Sequence, residues 1–129
     1  MKKITVKNSP IHGSGVYASC DIKNAEVVIH WEDTRELNKS EFDTLPIEEH
    51  AYIEISGDKT FLMGKPERYI NHSCDANTMP GEKCDIASRD IQTGEEITTD
   101  YSNFYIPNKS FNCACQSVNC RQLIVGKKS

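Results

Sequence analysis

The segment 68–77 constrains this chain more than any other, because it places an Asn-His pair just before the thiol of Cys74. Three further thiols, Cys113, Cys115 and Cys120, cluster near the C-terminal end. Three clustered thiols and one distant thiol suit a tetrahedral Zn2+ site that ties the end of the chain back to its body. A short polar tail gains little from burial, whereas a bound metal supplies folding free energy. Free structural thiols are the alternative.

Length and composition describe one modest domain. A chain of 129 residues is long enough for one hydrophobic core. The net charge of −4 argues against nucleic acid as a direct ligand. No apolar run approaches the roughly 20 residues that span a bilayer, and no apolar segment follows the first lysines as it would in a signal peptide. We therefore expect an intracellular protein without membrane contact, as a monomer or a homodimer.

The acidic side chains are unevenly distributed. Residues 32–50 carry seven acidic side chains against two basic ones. An acidic face would attract a basic peptide such as a histone tail. The alternative is a solvated helix surface, because many charge runs have no other role.

The apolar pattern predicts a mainly β domain with several short strands and one weak helix. The helix is expected within 34–52, where Pro46 breaks or restarts it. A hairpin is expected around Gly57, between two β-rich runs. The predicted strands cover 4–6, 16–18, 26–31, 52–55, 59–63, 85–91 and 96–101.

The segment 68–74 reads Arg-Tyr-Ile-Asn-His-Ser-Cys. It resembles the Arg-Phe-x-Asn-His-x-Cys motif of the SET domain, the fold of most protein lysine methyltransferases, with Tyr69 in place of Phe. The resemblance implies that Asn71 and His72 hold the two ends of S-adenosyl-L-methionine, partly through backbone groups. Arg68 and Tyr69 belong to the same implied cofactor site. A polar loop with a hydrogen-bonded His is the alternative.

The segment 94–101 reads Gly-Glu-Glu-Ile-Thr-Thr-Asp-Tyr and resembles the Gly-Glu-Glu-(Leu/Ile)-x-x-Asp-Tyr motif of the same family. In that family this segment threads beneath a preceding loop, forms a pseudoknot and lies beside the Asn-His pair. Tyr101 matches the catalytic tyrosine, which also borders the cofactor. A packed strand aromatic is the alternative.

The segment 12–18 reads His-Gly-Ser-Gly-Val-Tyr-Ala and is similar to the family's first motif, a Gly-x-Gly turn that leads into a strand. Glycine permits positive φ and a close approach of the backbone to a ligand. A plain turn between strands is the alternative. The resemblance implies cofactor contacts from Gly13, Ser14, Gly15, Val16 and Tyr17.

The C-terminal thiols and the following Arg121 look like a post-SET segment. In that arrangement three tail thiolates and the Cys of the Asn-His-x-Cys motif share one zinc ion. The implied ligands are Cys74, Cys113, Cys115 and Cys120. Four thiolates and one Zn2+ sum to a charge of −2, so the Arg121 guanidinium is a natural partner.

Four aromatic residues are candidates for the wall of a lysine channel. Phe111, which precedes the tail thiols, is expected against the cofactor or the lysine side chain. Tyr17, Tyr52 and Tyr105 are further candidates, although strand aromatics mostly pack in a core.

The chain departs from the family pattern at four positions. Ala76 replaces a usual proline, and Gln116 and Gln122 replace glycines of the tail. Thr99 stands two residues before Tyr101, where many members carry an aromatic residue that limits the number of methyl groups added. A smaller residue leaves more room, which favours multiple methylation.

The resemblance as a whole implies a mainly β SET-domain (β-clip) fold with a short helical insert, a SET domain over 1–106 and a zinc-binding tail over 107–129. The implied activity is S-adenosylmethionine-dependent methylation of a lysine in a histone or another basic protein, in the cytoplasm or on chromatin. The first alternative is an inactive, zinc-stabilised protein-binding module of the same fold. A second is a redox-sensing or zinc-storing thiol protein.

Overall fold

Short strands dominate the architecture. The computed structural model describes residues 3–11, 13–103, 110–113, 117–118 and 120–125. Within these residues twelve strands form four small sheets, which confirms the predicted mainly β fold. The strands are β1 (Ile4–Asn8), β2 (Ser14–Ala18), β3 (Val27–His30), β4 (Arg35–Leu37), β5 (Ile53–Ser56), β6 (Lys59–Leu62), β7 (Asn71–His72), β8 (Thr78–Gly81), β9 (Cys84–Ala87), β10 (Glu96–Thr99), β11 (Ser110–Asn112) and β12 (Leu123–Val125).

The four-stranded sheet has the order β1-β2-β10-β7 and brings distant segments together. β10 runs antiparallel to β2 on one side and parallel to β7 on the other. In the parallel pair Thr98 lies opposite Asn71, and Thr99 lies opposite His72. The Asn-His pair and the end of β10 therefore become neighbours, as the sequence predicts.

The main core lies between this sheet and the sheet ordered β3-β9-β8. Its apolar side chains come from strands and from the bridge between Ile22 and Ile91. Alternation along β2 places Val16 and Ala18 in this core, and β10 contributes Ile97. The buried cluster comprises Val16, Ala18, Ile22, Val28, Ile29, Ile70, Ala87, Ile91 and Ile97.

A third sheet has the order β4-β6-β5 and its own small core of Leu37, Ile53 and Leu62. The hairpin between β5 and β6 turns at Gly57, whose φ of +62° suits glycine. The hairpin expected from the sequence is therefore confirmed.

The expected helix over 34–52 is wrong in its first part. Residues 35–37 form β4, because they pair with β6 across the sheet. The helix α1 (Lys39–Asp43) begins only after Asn38, whose side chain caps it in a capping box with Glu41. Pro46 then starts a separate 3-10 helix, Ile47–Tyr52.

Other differences concern strand ends and short strands. β9 ends at Ala87, whereas a strand to residue 91 was expected. Tyr101 begins a 3-10 turn, Tyr101–Asn103, directly beyond β10. β8 contains Pro80, which an edge strand tolerates, so its sequence carries little strand signal. No helix in the described part of the chain is long and apolar enough to cross a membrane.

The tail contributes a small hairpin of β11 and β12, in which Phe111 lies opposite Ile124. Ile124 is 1% exposed, and β12 lies against the 3-10 turn that begins at Tyr101. The tail thus gains more from burial than its polar composition predicts. It also docks beside the candidate catalytic residue.

Candidate active site

His72 and Tyr101 are joined directly. The backbone N–H of Tyr101 donates a 2.9 Å hydrogen bond to Nδ1 of His72. The two rings meet edge to face, with centroids 5.5 Å apart. His72 is only 3% exposed, so this contact fixes the turn after β10 against β7. The two candidate residues therefore lie in one site.

The same contact defines the tautomer of His72. A nitrogen that accepts a hydrogen bond carries no proton in neutral imidazole, so the proton lies on Nε2. Nε2 is 3.4 Å from Sγ of Cys74 and donates to it. Burial lowers the pKa of His72. The nearby Asp100 acts to raise this pKa, and Arg121 acts to lower it further. The ring is therefore neutral at neutral pH.

The Tyr101 hydroxyl donates a hydrogen bond to the carbonyl oxygen of Ile70. Burial raises the pKa of this hydroxyl, and the neighbouring Tyr52 and Asp85 raise it further. The phenol is therefore protonated at neutral pH. Since its proton is engaged by Ile70, its oxygen can serve a ligand only as an acceptor.

Asn71 links the three motifs that the sequence singles out. Its Nδ2 donates to the carbonyl oxygen of Ser14 at 2.9 Å and to Oε2 of Glu96 at 3.0 Å. The Glu96 carboxylate also accepts the hydroxyl of Ser9, at 2.8 and 2.9 Å from its two oxygens. The side-chain N–H groups of Asn71 are thus hydrogen-bonded within the protein. A ligand at this position would therefore be bound largely by backbone groups.

The two glycines of the first turn differ in their surroundings, because Gly15 is crowded and Gly13 is open. A Cβ on Gly15 would lie 2.4 Å from Oε2 of Glu96, so only glycine fits there. Gly13 has a φ of +42°, and a Cβ built on it would meet no atom within 4 Å. This open face beside a positive-φ glycine fits the close approach of a ligand such as the implied cofactor.

The neighbours of these glycines face the protein. The side chain of Val16 is fully buried in the main core. The Tyr17 hydroxyl donates to the carbonyl oxygen of Asn8 at 3.1 Å, and the Lys7 ammonium lies 4.6 Å from its ring centroid. The structure thus places both side chains in the sheet and its edge.

Arg68 is engaged on several sides. Its guanidinium forms a 2.8 Å ion pair with Glu49, donates to the carbonyl oxygen of Met63 and stacks over the ring of Tyr52. Its side chain is 8% exposed. The half-buried Tyr69 packs against the main core. Both residues therefore hold the segment before β7 in place.

Thr99 carries a buried hydroxyl without a protein partner. Its side chain is 6% exposed, and Oγ1 finds no hydrogen-bond partner among the residues described here. The adjacent Thr98 differs, because its Oγ1 accepts from Asn77 N. An orphaned polar atom beside His72 is costly unless a ligand or water satisfies it. This observation also fits a bound small molecule.

Thiols converge next to His72. The ligand atoms of His72, Cys74 and Cys113 all lie within 4.8 Å of one another. Gln122 connects Cys120 to this group: its N–H donates to Sγ of Cys120, and its carbonyl oxygen accepts from N of Cys113. A set rich in soft thiolates fits zinc. Three predicted features lie outside the described residues: Cys115, Tyr105 and the side chain of Phe111.

Arg121 connects the thiols to the turn that carries Tyr101. Its backbone N–H and its Nε–H donate to Sγ of Cys74 at 3.3 and 3.4 Å. One terminal nitrogen is 2.8 Å from Oδ1 of Asp100, and the other is 3.3 Å from Oγ of Ser102. Burial acts to raise the pKa of Asp100, but hydrogen bonds from Arg121 and Ser102 outweigh it and lower that pKa.

Sequence reasoning missed the supporting residues Ser9, Asp100 and Ser102. Ser9 lies 87 residues from its partner Glu96, and Asp100 lies 21 residues from Arg121. No local pattern signals such pairs. Asp100 and Glu96 belong to the motif at 94–101, and that membership was the sequence signal for a role in the site.

Comparison with known proteins gives consistent matches. The family model described as "SET domain" matches residues 13–102. The chain is 30% identical to the "Variant-silencing SET domain-containing protein" of Plasmodium falciparum, over 99% of the chain and 6% of that protein. It is 33% identical to "Histone-lysine N-methyltransferase set1" of Dictyostelium discoideum, over 95% of the chain and 9% of that protein. It is 32% identical to "Histone-lysine N-methyltransferase trithorax" of Drosophila virilis, over 94% of the chain and 4% of that protein. The chain spans less than a tenth of the length of these relatives.

Proposed function

Because the chain belongs to the SET-domain family, we propose that it is a protein lysine N-methyltransferase that uses S-adenosyl-L-methionine. The observation that carries this proposal is the parallel pairing of β7 with β10, which sets Asn71 and His72 beside Tyr101. Relatives named histone-lysine N-methyltransferases support the same reaction.

The cofactor would be held by the turn from Gly13 to Tyr17 and by Asn71, His72 and Tyr101, with Phe111 from the tail. When bound, S-adenosylmethionine supplies an electrophilic methyl group on a sulfonium. The open face at Gly13 permits a close backbone approach. Arg68 and Tyr69 support this site from behind, since their side chains are bound to the protein.

Tyr101 would orient the lysine amine. A free lysine amine has a pKa near ~10.4, and an apolar channel disfavours its charged form. The raised pKa of Tyr101 keeps its hydroxyl protonated at neutral pH, so Tyr101 would not act as a phenolate base. Because its proton is donated to Ile70, the phenol oxygen would accept an N–H of the amine and align its lone pair with the methyl group.

Thr99 would set the number of methyl groups. It stands beside the proposed amine site, and its side chain is smaller than the aromatic residue common at this position in the family. The extra room supports transfer of more than one methyl group. Mass spectrometry of a methylated peptide should show di- or trimethyl-lysine with the wild-type protein and mainly monomethyl-lysine with Thr99→Phe.

The tail over 107–129 would bind one zinc ion through Cys113, Cys115 and Cys120, with Cys74 as the fourth ligand. The convergence of Cys113 on Cys74 supports this site. Ordering of the tail by the metal would complete one wall of the substrate channel, next to the SET domain over 1–106.

The substrate would be a basic protein segment such as a histone tail. The acidic residues in 32–50 are largely exposed and would attract such a segment. On a histone substrate the protein would act at chromatin in a eukaryotic host, or in the cytoplasm otherwise, as a monomer or homodimer. No direct contact with nucleic acid is proposed.

Transfer of labelled methyl from S-adenosylmethionine to core histones tests the proposal, with and without a zinc chelator and beside a panel of other basic proteins. We expect label on a lysine, lost when the chelator is present. Label only on the other proteins would assign a non-histone substrate. Cofactor binding without any transfer would overturn the proposal in favour of an inactive binding module.

A further inference from the structure

We infer that His72 is a hydrogen-bond donor to the Cys74 thiolate and is not a metal ligand, and that Arg121 is a positioning residue. Arg121 couples docking of the thiol-bearing tail to the orientation of Tyr101. This inference rests on the proposed function in giving Tyr101 a catalytic role. The contacts that carry it form a closed ring around the thiol site.

The first contact excludes His72 from metal binding. Nδ1 of His72 accepts the backbone N–H of Tyr101 at 2.9 Å. A neutral imidazole has one nitrogen with a lone pair in the ring plane, and here that nitrogen is Nδ1. Nε2 therefore keeps its hydrogen, although it lies 3.4 Å from Sγ of Cys74 and the His72 ring is grouped with the thiols of Cys74 and Cys113. Coordination through Nε2 would require loss of the contact to Tyr101 or an imidazolate ring.

The second set of contacts converges on one sulfur. Sγ of Cys74 is approached by Nε2 of His72 at 3.4 Å and by N and Nε of Arg121 at 3.3 and 3.4 Å. All three nitrogens carry hydrogens. Three donors suit a thiolate, and donors to a metal-bound thiolate set its orientation and charge.

The third set of contacts returns to Tyr101. The far end of the Arg121 guanidinium lies 2.8 Å from Oδ1 of Asp100, the residue before Tyr101. The same oxygen accepts the backbone N–H and the hydroxyl of Ser102, at 3.0 and 2.7 Å. Both sides of Tyr101 are thus tied to one side chain from the tail. Only the planar fork of arginine reaches the thiolate and this turn together, so lysine is not an equivalent replacement.

The first test compares Arg121→Gln and Arg121→Lys with wild type, with Arg89→Gln as the matched control. Arg89 forms an exposed ion pair with Glu95 away from the site. We expect both Arg121 variants to release zinc to a chromophoric chelator about 10-fold faster or more, as for other residues that contact metal ligands. The control should release zinc at the wild-type rate. Wild-type release from both Arg121 variants would overturn the role of Arg121.

Amide hydrogen exchange separates positioning from general destabilisation. In Arg121→Gln the Tyr101 amide should lose protection about 10-fold or more, because its turn is no longer held. The Ile22 amide, bonded to the Ile91 carbonyl in the core, should keep its protection. Equal loss at both amides would mean a merely structural effect and would contradict the inference.

Cadmium-113 substitution of the full chain, labelled with 15N-histidine, tests the role of His72. We expect the cadmium resonance of a thiolate-only site, no coupling between cadmium and a histidine nitrogen, and a His72 ring protonated on Nε2. Coupling to the ring of His72 would make it a ligand and overturn the inference. None of these readouts needs methyl transfer, so their failure is distinguishable from failure of the proposed activity. A wild-type protein that binds neither zinc nor cadmium would also overturn the inference.

Discussion

Nδ2 of Asn71 donates a 3.0 Å hydrogen bond to Oε2 of Glu96, and the same oxygen lies only 2.4 Å from the position that a Cβ on Gly15 would take. The Glu96 carboxylate therefore joins β7 to β10, and it also leaves no room for a side chain at Gly15. The three motifs are physically one unit at this point. The site depends on Glu96 even though no catalytic role is assigned to it.

Glu96→Gln should lower the free energy of unfolding by about 1–3 kcal/mol, because an amide N–H2 replaces an acceptor that faces donors from Ser9 and Asn71. Cofactor affinity should fall as well, since Asn71 loses a fixed partner. Urea unfolding and calorimetric titration with S-adenosylmethionine measure the two effects. Glu48→Gln, at an exposed position in the 3-10 helix Ile47–Tyr52, is the control and should change stability by less than about 0.5 kcal/mol. Equal effects of the two variants would contradict this account of Glu96.

Thr99→Val should stabilise the protein without ligand by about 1 kcal/mol, because it removes a buried hydroxyl that has no partner among the described residues. Thr98→Val is a matched control in the same strand. Its hydroxyl is hydrogen-bonded to Asn77, so its loss should destabilise the protein by about 1–2 kcal/mol. Chemical denaturation of both variants measures the contrast. Destabilisation of similar size in both would show that the Thr99 hydroxyl is satisfied in solution.

Asp85 should make stability fall with rising pH. Burial raises the pKa of Asp85 from 3.8 to about 6. The hydrogen bond from Trp31 acts to lower this pKa, and the nearby Glu67 acts to raise it. The folded state thus holds this proton to higher pH than the unfolded state. The stabilisation is full below about pH 4 and is lost as pH rises to about 6, a change of roughly 3 kcal/mol.

Urea unfolding of wild type and Asp85→Asn across this pH range isolates that contribution. The stability of the Asn variant relative to wild type should rise between about pH 4 and about pH 7. Asp58→Asn, at the exposed hairpin tip, is the control and should track wild type. A constant difference between wild type and Asp85→Asn at all pH values would show that Asp85 ionises normally.

The sequence was sufficient for features encoded by adjacent residues. The strands β2, β3 and β10, the turn at Gly57 and the break at Pro46 are all found, although β10 ends at Thr99 and the predicted strand ran to residue 101. The proximity of Cys74 to the tail thiols was also predicted, and the structure brings Cys113 to it. Zinc itself and the ligand Cys115 stay predictions.

Features that depend on tertiary pairing were missed. β4 has three residues and forms only because β6 lies beside it, so local propensity suggested a helix instead. The bonds from Ser9 to Glu96 and from Arg121 to Asp100 join residues far apart in sequence. The burial of Ile124 likewise depends on where the tail docks.

The most direct test of the account is methyl transfer by Tyr101→Phe, measured with labelled S-adenosylmethionine on core histones beside the wild-type protein. Loss of the hydroxyl removes the proposed contact to the lysine amine. Transfer should fall about 100-fold or more, while cofactor affinity stays within about 2-fold and stability drops by only about 1 kcal/mol. Transfer at the wild-type rate by the Phe variant would contradict the assignment of Tyr101 and with it the proposed active site.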